Sequence, residues 1–428
     1  MEKYLPDETV SAFQAKAIVI CLVINMLDGF DVLAIAFAAP GISDEWQLGA
    51  RDIGYLLSSG LVGMVLGSFL LAPLADRFGR RAIILLCLGI MSVGMFGSGL
   101  SQDFNQMAYT RLFTGIGIGG MLASLNTIVA EYSPDKWRGL AVSVMQTGYP
   151  IGATIGGAFA VYLVSIYDWR AIFFFGGIMS TAMIPVVLIG LPESLTFLLE
   201  KRPQGALKKV NLLRMKTGQE ALLSLDKEKG AMGSRKVSIF AMFSPDLRMR
   251  TFSLWTCFFM VMFTFYFLLS WTPKIMAGLG AGEAGGISSG ILMNIGGIVG
   301  AVVLGYLSAL LSPLKLAASY MILCVVAMIG FGAVSTDIDI MLFFIFFMGF
   351  FVFGSMIGLY TQVPNIFPAL IRTTGTGWAI GVGRLGAVLG PITAGILIEA
   401  NWSRLELFSA LGIPLLISAF IIVRLRQN

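Results

Sequence analysis

The sequence predicts an all-α membrane protein with twelve transmembrane helices in two sets of six. Three observations predict it. Hydrophobic residues fill 57% of the 428 positions and charged residues only 12%, with a mean hydropathy of +0.85. The apolar residues fall into long unbroken runs, and one hydrophilic stretch divides those runs six and six. A soluble domain carries roughly 25% charged residues, so most of this surface faces something other than water.

In order, the apolar runs cover 17–39, 53–74, 82–101, 107–130, 139–166 and 171–191, then 252–274, 286–311, 316–335, 340–364, 374–400 and 405–424. A helix needs ~20 residues to cross the hydrocarbon core. Backbone polar groups in lipid must bond internally, which leaves helices or closed barrels. Barrel strands alternate over ~10 residues, and these runs do not alternate. The 51 glycines fit helices that associate in lipid by close packing. Cys21, Cys87, Cys257 and Cys324 lie inside apolar runs, with neither metal nor disulfide spacing. The first run starts near Ala17 and is too long for the apolar core of a cleavable signal peptide.

Basic residues set the orientation. With both termini in the cytoplasm, that side holds Lys3, Lys16, Arg77, Arg80, Arg81, Lys136, Arg138, twelve Lys and Arg between Pro192 and Arg250, Lys315, Arg372, Arg424 and Arg426, which is 23 of 29. The other face keeps Arg51, Arg170, Lys274 and Arg404, while Arg111 and Arg384 lie within runs. The net charge of +5 does not point to nucleic acid, because the basic residues make no continuous patch. The chain has no histidine, which excludes His-ligated zinc and His acid–base chemistry and leaves carboxylates to carry protons. No nucleophile–base pair or long catalytic loop points to an enzyme, and the linker is small for a sensor's output domain.

The expected divisions are 1–191, a cytoplasmic linker at 192–250, and 251–428. The linker is basic and helical-looking from Gly205 to Leu225. It reads either as an amphipathic segment on the anionic inner leaflet or as a solvated tether. Glu131-Tyr-Ser-Pro134 leading to Arg138, and Asn365-Ile-Phe-Pro368 leading to Arg372, repeat one spacing 234 residues apart. Duplicated halves build many secondary transporters.

Four ionisable residues interrupt the runs. Asp28-Gly29-Phe30-Asp31 lies near the middle of the first. Carboxylates at i and i+3 share a helix face, and an ionised Asp at that depth costs ~2.5–3.5 kcal/mol. The pair therefore faces the bundle interior. Neighbouring carboxylates resist ionising together, which suits proton binding; the plainer reading is a structural ion pair with an arginine. Arg384 sits among Gly381, Gly383 and Gly386 in the eleventh run. Its planar fork suits a carboxylate. It either binds an organic anion or pairs with Asp28 or Asp31 to hold the structure. Arg111 starts about one turn into the fourth run, near enough to the outer interface to snorkel. Phe30, Tyr149, Tyr266, Trp271, Tyr360 and Trp378 lie on or near inner faces, where an aromatic ligand would stack; for each, packing is the commoner role. Asn294, Asn126, Gln146 and Gln362 either bond helices together or contact a substrate hydroxyl.

The loop after the second run reads Ala72-Pro-Leu-Ala-Asp76-Arg77-Phe-Gly79-Arg80-Arg81, with a tight turn expected at Gly79. It resembles the signature loop of the major facilitator superfamily, with alanine at 72 where glycine is usual. Its counterpart, Gly305-Tyr-Leu-Ser-Ala309, has lost the Asp and the Arg. Glu131 with Arg138 resembles the acidic–basic pair after the fourth helix, and Pro192-Glu193-Ser194 the motif that ends the sixth. The resemblance covers essentially the whole chain and implies two six-helix halves around a central cavity.

It also implies that Asp76, Arg77, Gly79, Arg80, Glu131, Arg138 and Glu193 form a cytoplasmic gate, ion-paired in the outward-open state and broken in the inward-open one. A positive-inside anchor is the alternative. Arg111 matches an arginine that the superfamily links to proton transfer. Asp28-Gly29-Phe30-Asp31 is similar to a motif of the aromatic acid:proton symporters, where it is tied to proton coupling. The resemblance thus implies a bacterial inner-membrane monomer without cofactor or metal. It would import protons with small organic anions of the benzoate or hydroxybenzoate type, bound by Arg384, Phe30, Tyr149, Tyr266, Trp378 and Asn294. The alternative is a carrier for a sugar, dicarboxylate or other metabolite, because sugar carriers share the Pro-Glu-Ser and Glu…Arg motifs. Drug antiporters usually have Gly-Pro where this chain has Gly152-Ala153, which favours symport.

Overall fold

The computed structural model describes residues 11–134, 137–216, 219–222, 242–245, 247–308, 311–334, 337–366 and 372–424. Among them twelve long helices follow one another: α1 (Ala12–Trp46), α2 (Ala50–Leu70), α3 (Arg80–Leu100), α4 (Phe104–Glu131), α5 (Gly148–Ile166), α6 (Arg170–Gly190), α7 (Arg248–Met276), α8 (Gly282–Ser308), α9 (Pro313–Ala333), α10 (Ile338–Ile366), α11 (Arg372–Glu399) and α12 (Arg404–Arg424). A short helix, Arg138–Gln146, leads into α5. The apolar stretch Arg248–Ser308 is 61 residues long. It folds as two helices because Gly280 and Gly282 adopt φ of +100° and +69°, which glycine enters without a steric penalty.

The helices pair in one pattern, used twice. α1 packs on α5 and α6, α2 on α4, and α3 on α4 and α6. Six helices on, α7 packs on α11 and α12, α8 on α10, and α9 on α10 and α12. The sequence repeat that hinted at this duplication falls partly at 135–136 and 367–371, outside the described residues. Small residues make the contacts close. A Cβ added to Gly63 or Gly67 of α2 would strike the Leu112 or Ile116 carbonyl of α4, and one on Gly115 or Gly119 would strike Gly60 or Met64 in return.

The two sets meet where α2 faces α11, α5 faces α8 and α1 faces α7. Arg77, Arg80 and Arg81 mark one end of the bundle, the basic end; the opposite end is the far end. At the far end a Cβ on Gly54 would lie 2.8 Å from the Pro391 carbonyl oxygen and 3.3 Å from Gly395. Phe37 of α1 sits 3.1 Å from the Cβ position of Gly290 in α8, and Glu283 of α8 presses on Gly41. Toward the basic end α2 and α11 part. Between them lies a cavity of about 380 Å³ lined by Val65, Phe69, Gly377, Trp378, Gly381, Val382 and Leu385.

The linker begins with two short helices, Leu195–Lys201 and Ala206–Lys216. Val210 and Leu213 are buried in one apolar cluster with Ile20 and Tyr132, while Lys208 and Lys209 face outward. Lys216 Nζ lies 5.2 Å from the centre of the Phe13 ring. One apolar face of this part of the linker packs on the first six helices, which corrects the expectation of a free tether, while Leu212 and Met215 stay exposed beside Lys208 and Lys209. Residues 223–241 lie outside the described residues.

Candidate functional site

Asp31 is 0% exposed and Asp28 is buried one turn before it in α1. Glycines of α5 bring that helix onto the α1 backbone; a Cβ on Gly152 would strike the Met26 carbonyl. Asp31 looks toward α4 and α6. Arg111 Nη2 donates to the Asp31 carbonyl oxygen at 2.6 Å, and Nη1 lies 3.0 Å from Met95 Sδ. The guanidinium carbon stands 5.6 Å from the centre of the Phe173 ring. At 2% exposure Arg111 does not snorkel, because its side chain points inward to the carboxylate-bearing helix.

Among the described residues, neither Asp31 carboxylate oxygen has a hydrogen-bond partner. Gly176 of α6 makes the room: a Cβ there would lie 2.9 Å from Asp31 Oδ1. Ser180, one turn on, approaches the carboxylate without completing a hydrogen bond of normal geometry. Asp28 Oδ1 is also unpartnered, within electrostatic reach of Asp31 and of Arg384 in the other half.

Arg384 reaches from α11 to α2. Its Nη1 donates to the Met64 carbonyl at 2.8 Å and to Ser68 Oγ. Both partners are neutral, so the alternative in which Arg384 is ion-paired to Asp28 or Asp31 does not hold in this conformation. Its Nε and Nη2 have no acceptor among the described residues. Tyr266 of α7 and Tyr360 of α10 lie within electrostatic reach of the guanidinium, and Tyr149 of α5 faces Tyr266 and Asp28. The buried Tyr149 hydroxyl approaches Tyr266 but makes no hydrogen bond of normal geometry. One arginine, three phenols and one carboxylate, drawn from both halves, thus form one electrostatically linked group.

Other candidates stand apart from this group. Phe30 packs edge-on to Phe175, with ring centres 5.5 Å apart, and fills the space left by Gly156. Trp378 stacks on Trp255 at 5.9 Å and lines the cavity between α2 and α11. Asn294 Nδ2 donates to its own helix at Gly290 (2.9 Å), which leaves Oδ1 buried without a partner. Trp271 Nε1 donates to the Pro391 carbonyl at 3.0 Å. Gln146 donates to Asn126 at 3.1 Å, so these two bond helices together. The Gln362 side chain lies outside the described residues. Ser68 and Ser180 escaped the sequence reading, because a serine in an apolar span carries no distinguishing signal.

At the basic end Gly79 has φ +102° and forms the expected turn. Glu193 Oε1 accepts from the backbone N–H groups of Arg80 (2.9 Å), Arg81 (3.1 Å) and Ser194 (2.8 Å). A Cβ on Gly79 would lie 2.6 Å from Glu193 Oε2. Arg80 pairs with Asp76 at 3.2 Å, and the Asp76 side chain is 73% exposed. Arg77 lies over the Phe78 ring at 5.3 Å. Glu131 accepts from Ser194 Oγ at 2.9 Å and from the Leu195 N–H at 2.8 Å, while Arg138 Nε donates to the Ala130 carbonyl at 3.0 Å. Every one of these bonds joins residues of the first six helices and the loop that follows them.

A family model described as Major Facilitator Superfamily matches residues 21–391. The chain belongs to the Major Facilitator Superfamily. Among curated relatives of this facilitator, a gallate transporter of Pseudomonas putida is 28% identical over 99% of this chain and 94% of the relative. A 4-hydroxybenzoate transporter of the same organism is 28% identical over 97% and 93%. A 3-(3-hydroxy-phenyl)propionate transporter of Escherichia coli is 27% identical over 91% and 89%. Among solved structures, the xylose transporter from E. coli in a partially occluded inward-open conformation matches with a TM-score of 0.75 at 15% identity, over 97% of this chain and 98% of the other. At that identity the likeness speaks for the fold alone.

Proposed function

We propose that this facilitator imports small aromatic carboxylates together with protons, by alternating access. The observation that carries the reading is Arg384, held at mid-bundle by one nitrogen with Nε and Nη2 left without an acceptor among the described residues. A guanidinium stays charged and presents a planar fork to a carboxylate. Tyr149, Tyr266 and Tyr360, electrostatically linked to this group, offer ring faces and hydroxyls, which suit an aromatic acid better than an aliphatic one. The relatives' names agree, since gallate, 4-hydroxybenzoate and 3-(3-hydroxy-phenyl)propionate are all aromatic acids.

Asp31 is the coupling group in this reading, with Asp28 beside it. An ionised Asp31 has no hydrogen bond to offset its desolvation, and taking up a proton removes that cost. Arg111 is the neighbouring cation when the proton leaves. The bias of basic residues makes the basic end cytoplasmic, with both termini inside and the bacterial plasma membrane as the location. In that orientation α2 and α11 are closed at the outside and parted toward the inside.

Proton and anion load from outside, residues 1–191 and 251–428 rock about the bound acid while 192–250 links them, and both ligands leave inward. Asp76, Arg77, Gly79, Arg80, Glu131, Arg138 and Glu193 belong to the gate that closes the inner side in the opposite state. The carrier works as a monomer with the proton as its coupling ion and no cofactor. One proton per monoanion is electroneutral; a second adds ~2.3 kcal/mol per 100 mV.

Counterflow tests the cargo. Proteoliposomes preloaded with 4-hydroxybenzoate are expected to draw in the labelled acid, with benzoate competing. If aromatic acids neither exchange nor compete while xylose or succinate does, the cargo is a sugar or a dicarboxylate.

A further inference from the structure

α2 and α11 form one seam between the halves. It starts at the far end with Gly54 against Pro391 and Gly395, and continues with Ser58 Oγ donating to the Val388 carbonyl at 2.7 Å. It ends at Arg384 with Met64 and Ser68. At that level the helices begin to part around the cavity, whose lining runs from Val65 and Leu385 beside the tie to Phe69, Gly381 and Gly377, and a Cβ on either of those glycines would meet nothing within 4 Å. Among the described residues, the Arg384 bonds tie α2 to α11 at the edge of that opening.

Ser68 is prepared for this contact by its own helix. Its hydroxyl donates to the Met64 carbonyl at 2.5 Å, so the oxygen turns its lone pairs outward. Arg384 Nη1 binds that oxygen and the same carbonyl. With Nη1 fixed on α2, the guanidinium plane is fixed too. The other edge, Nε with Nη2, which no described residue occupies, is the one that takes a carboxylate side-on by two parallel bonds.

We propose that Ser68 is the positioning residue for substrate recognition: it anchors Arg384 across the seam, so that the Nε–Nη2 edge is presented to the carboxylate only while α2 and α11 meet at this level. The inference rests on Arg384 being the carboxylate's ligand. It adds that half of the site's geometry is supplied from the other half of the molecule, so that affinity for the acid changes as the seam opens and closes. No contact between Ser68 and the substrate is required.

The test compares Ser68→Ala with Ser68→Thr in 4-hydroxybenzoate counterflow. Ser68→Ala is expected to raise KM about tenfold, the size of one hydrogen bond to a charged group, with the maximal rate little changed. Ser68→Thr keeps the hydroxyl and restores KM. In an Arg384→Lys background, Ser68→Ala should add nothing. A Ser68→Ala carrier with wild-type KM overturns the proposal, and so does a Thr variant as impaired as the Ala one. A wild type that moves no aromatic acid instead overturns the cargo reading. The tie is then judged without cargo, by the cross-linking rate of a cysteine pair at Val65 and Gly381. The four native cysteines are buried and do not interfere. Ser68→Ala is expected to change that rate severalfold, and an unchanged rate rules the tie out.

Discussion

Arg384 shows what a single residue contributes. A lysine at this position would keep the charge but lose the planar fork and the two-point grip on α2. Arg384→Lys is expected to raise KM for aromatic acids by roughly tenfold or more, the loss of one or two charge-assisted bonds; initial rates over a range of acid concentrations measure it. Gly79 is the second residue with a definite prediction. Its φ of +102° disfavours any side chain, and a Cβ would crowd Glu193. Gly79→Ala is expected to cost about 1–3 kcal/mol and to free the Glu193 carboxylate from the turn, which a lowered thermal midpoint in detergent would register. Much at this scale was legible from sequence. Asp28, Asp31 and Arg384 stood out because charge is expensive in lipid, and Gly79 because a turn had to form. The partners were not legible: whether Arg384 meets Asp28 or Ser68 depends on helix rotation, which residue types do not fix.

Among the elements, α1 carries both carboxylates and α5 sets its position. The two helices touch through glycine, with Gly152 against the Met26 carbonyl and Gly29 against the Tyr149 carbonyl. Overpacking such a contact costs about 1–3 kcal/mol. Gly152→Val is expected to push α1 from α5, shift Asp28 and Tyr149 apart, and lower both thermal midpoint and counterflow. A variant with full stability and full flux would show that the contact is looser than drawn. The twelve spans were readable as run lengths, including the α7–α8 pair whose junction at Gly280 and Gly282 keeps a 61-residue apolar stretch from being one helix. The docking of the linker was not readable because a basic amphipathic helix looks alike on a leaflet and on protein; Val210 and Leu213 are buried in one cluster with Ile20 and Tyr132, far from them in sequence.

For the whole molecule, the repeated pairing of α1–α6 and α7–α12 gives two similar bodies that meet along α2–α11, α5–α8 and α1–α7. The far end is closed by backbone-to-glycine contact at Gly54 and Gly395, while Gly377 and Gly381 face open space. Cysteines at Ser58 and Val388, next along the same closed seam, are expected to cross-link readily in the resting carrier, and one at Gly381 to react with reagents added at the basic end. Locking the far-end pair should stop net uptake. A cross-linked carrier that still accumulates acid would contradict alternation at this seam.

Proton coupling through the buried α1 carboxylate is open to direct test. Labelled 4-hydroxybenzoate uptake is followed in proteoliposomes under an imposed inward proton gradient, wild type beside Asp31→Asn. Wild type is expected to accumulate the acid under the gradient and Asp31→Asn not to, with counterflow in the variant retained. Accumulation by Asp31→Asn at the wild-type level, or wild-type uptake indifferent to the gradient, would contradict that coupling.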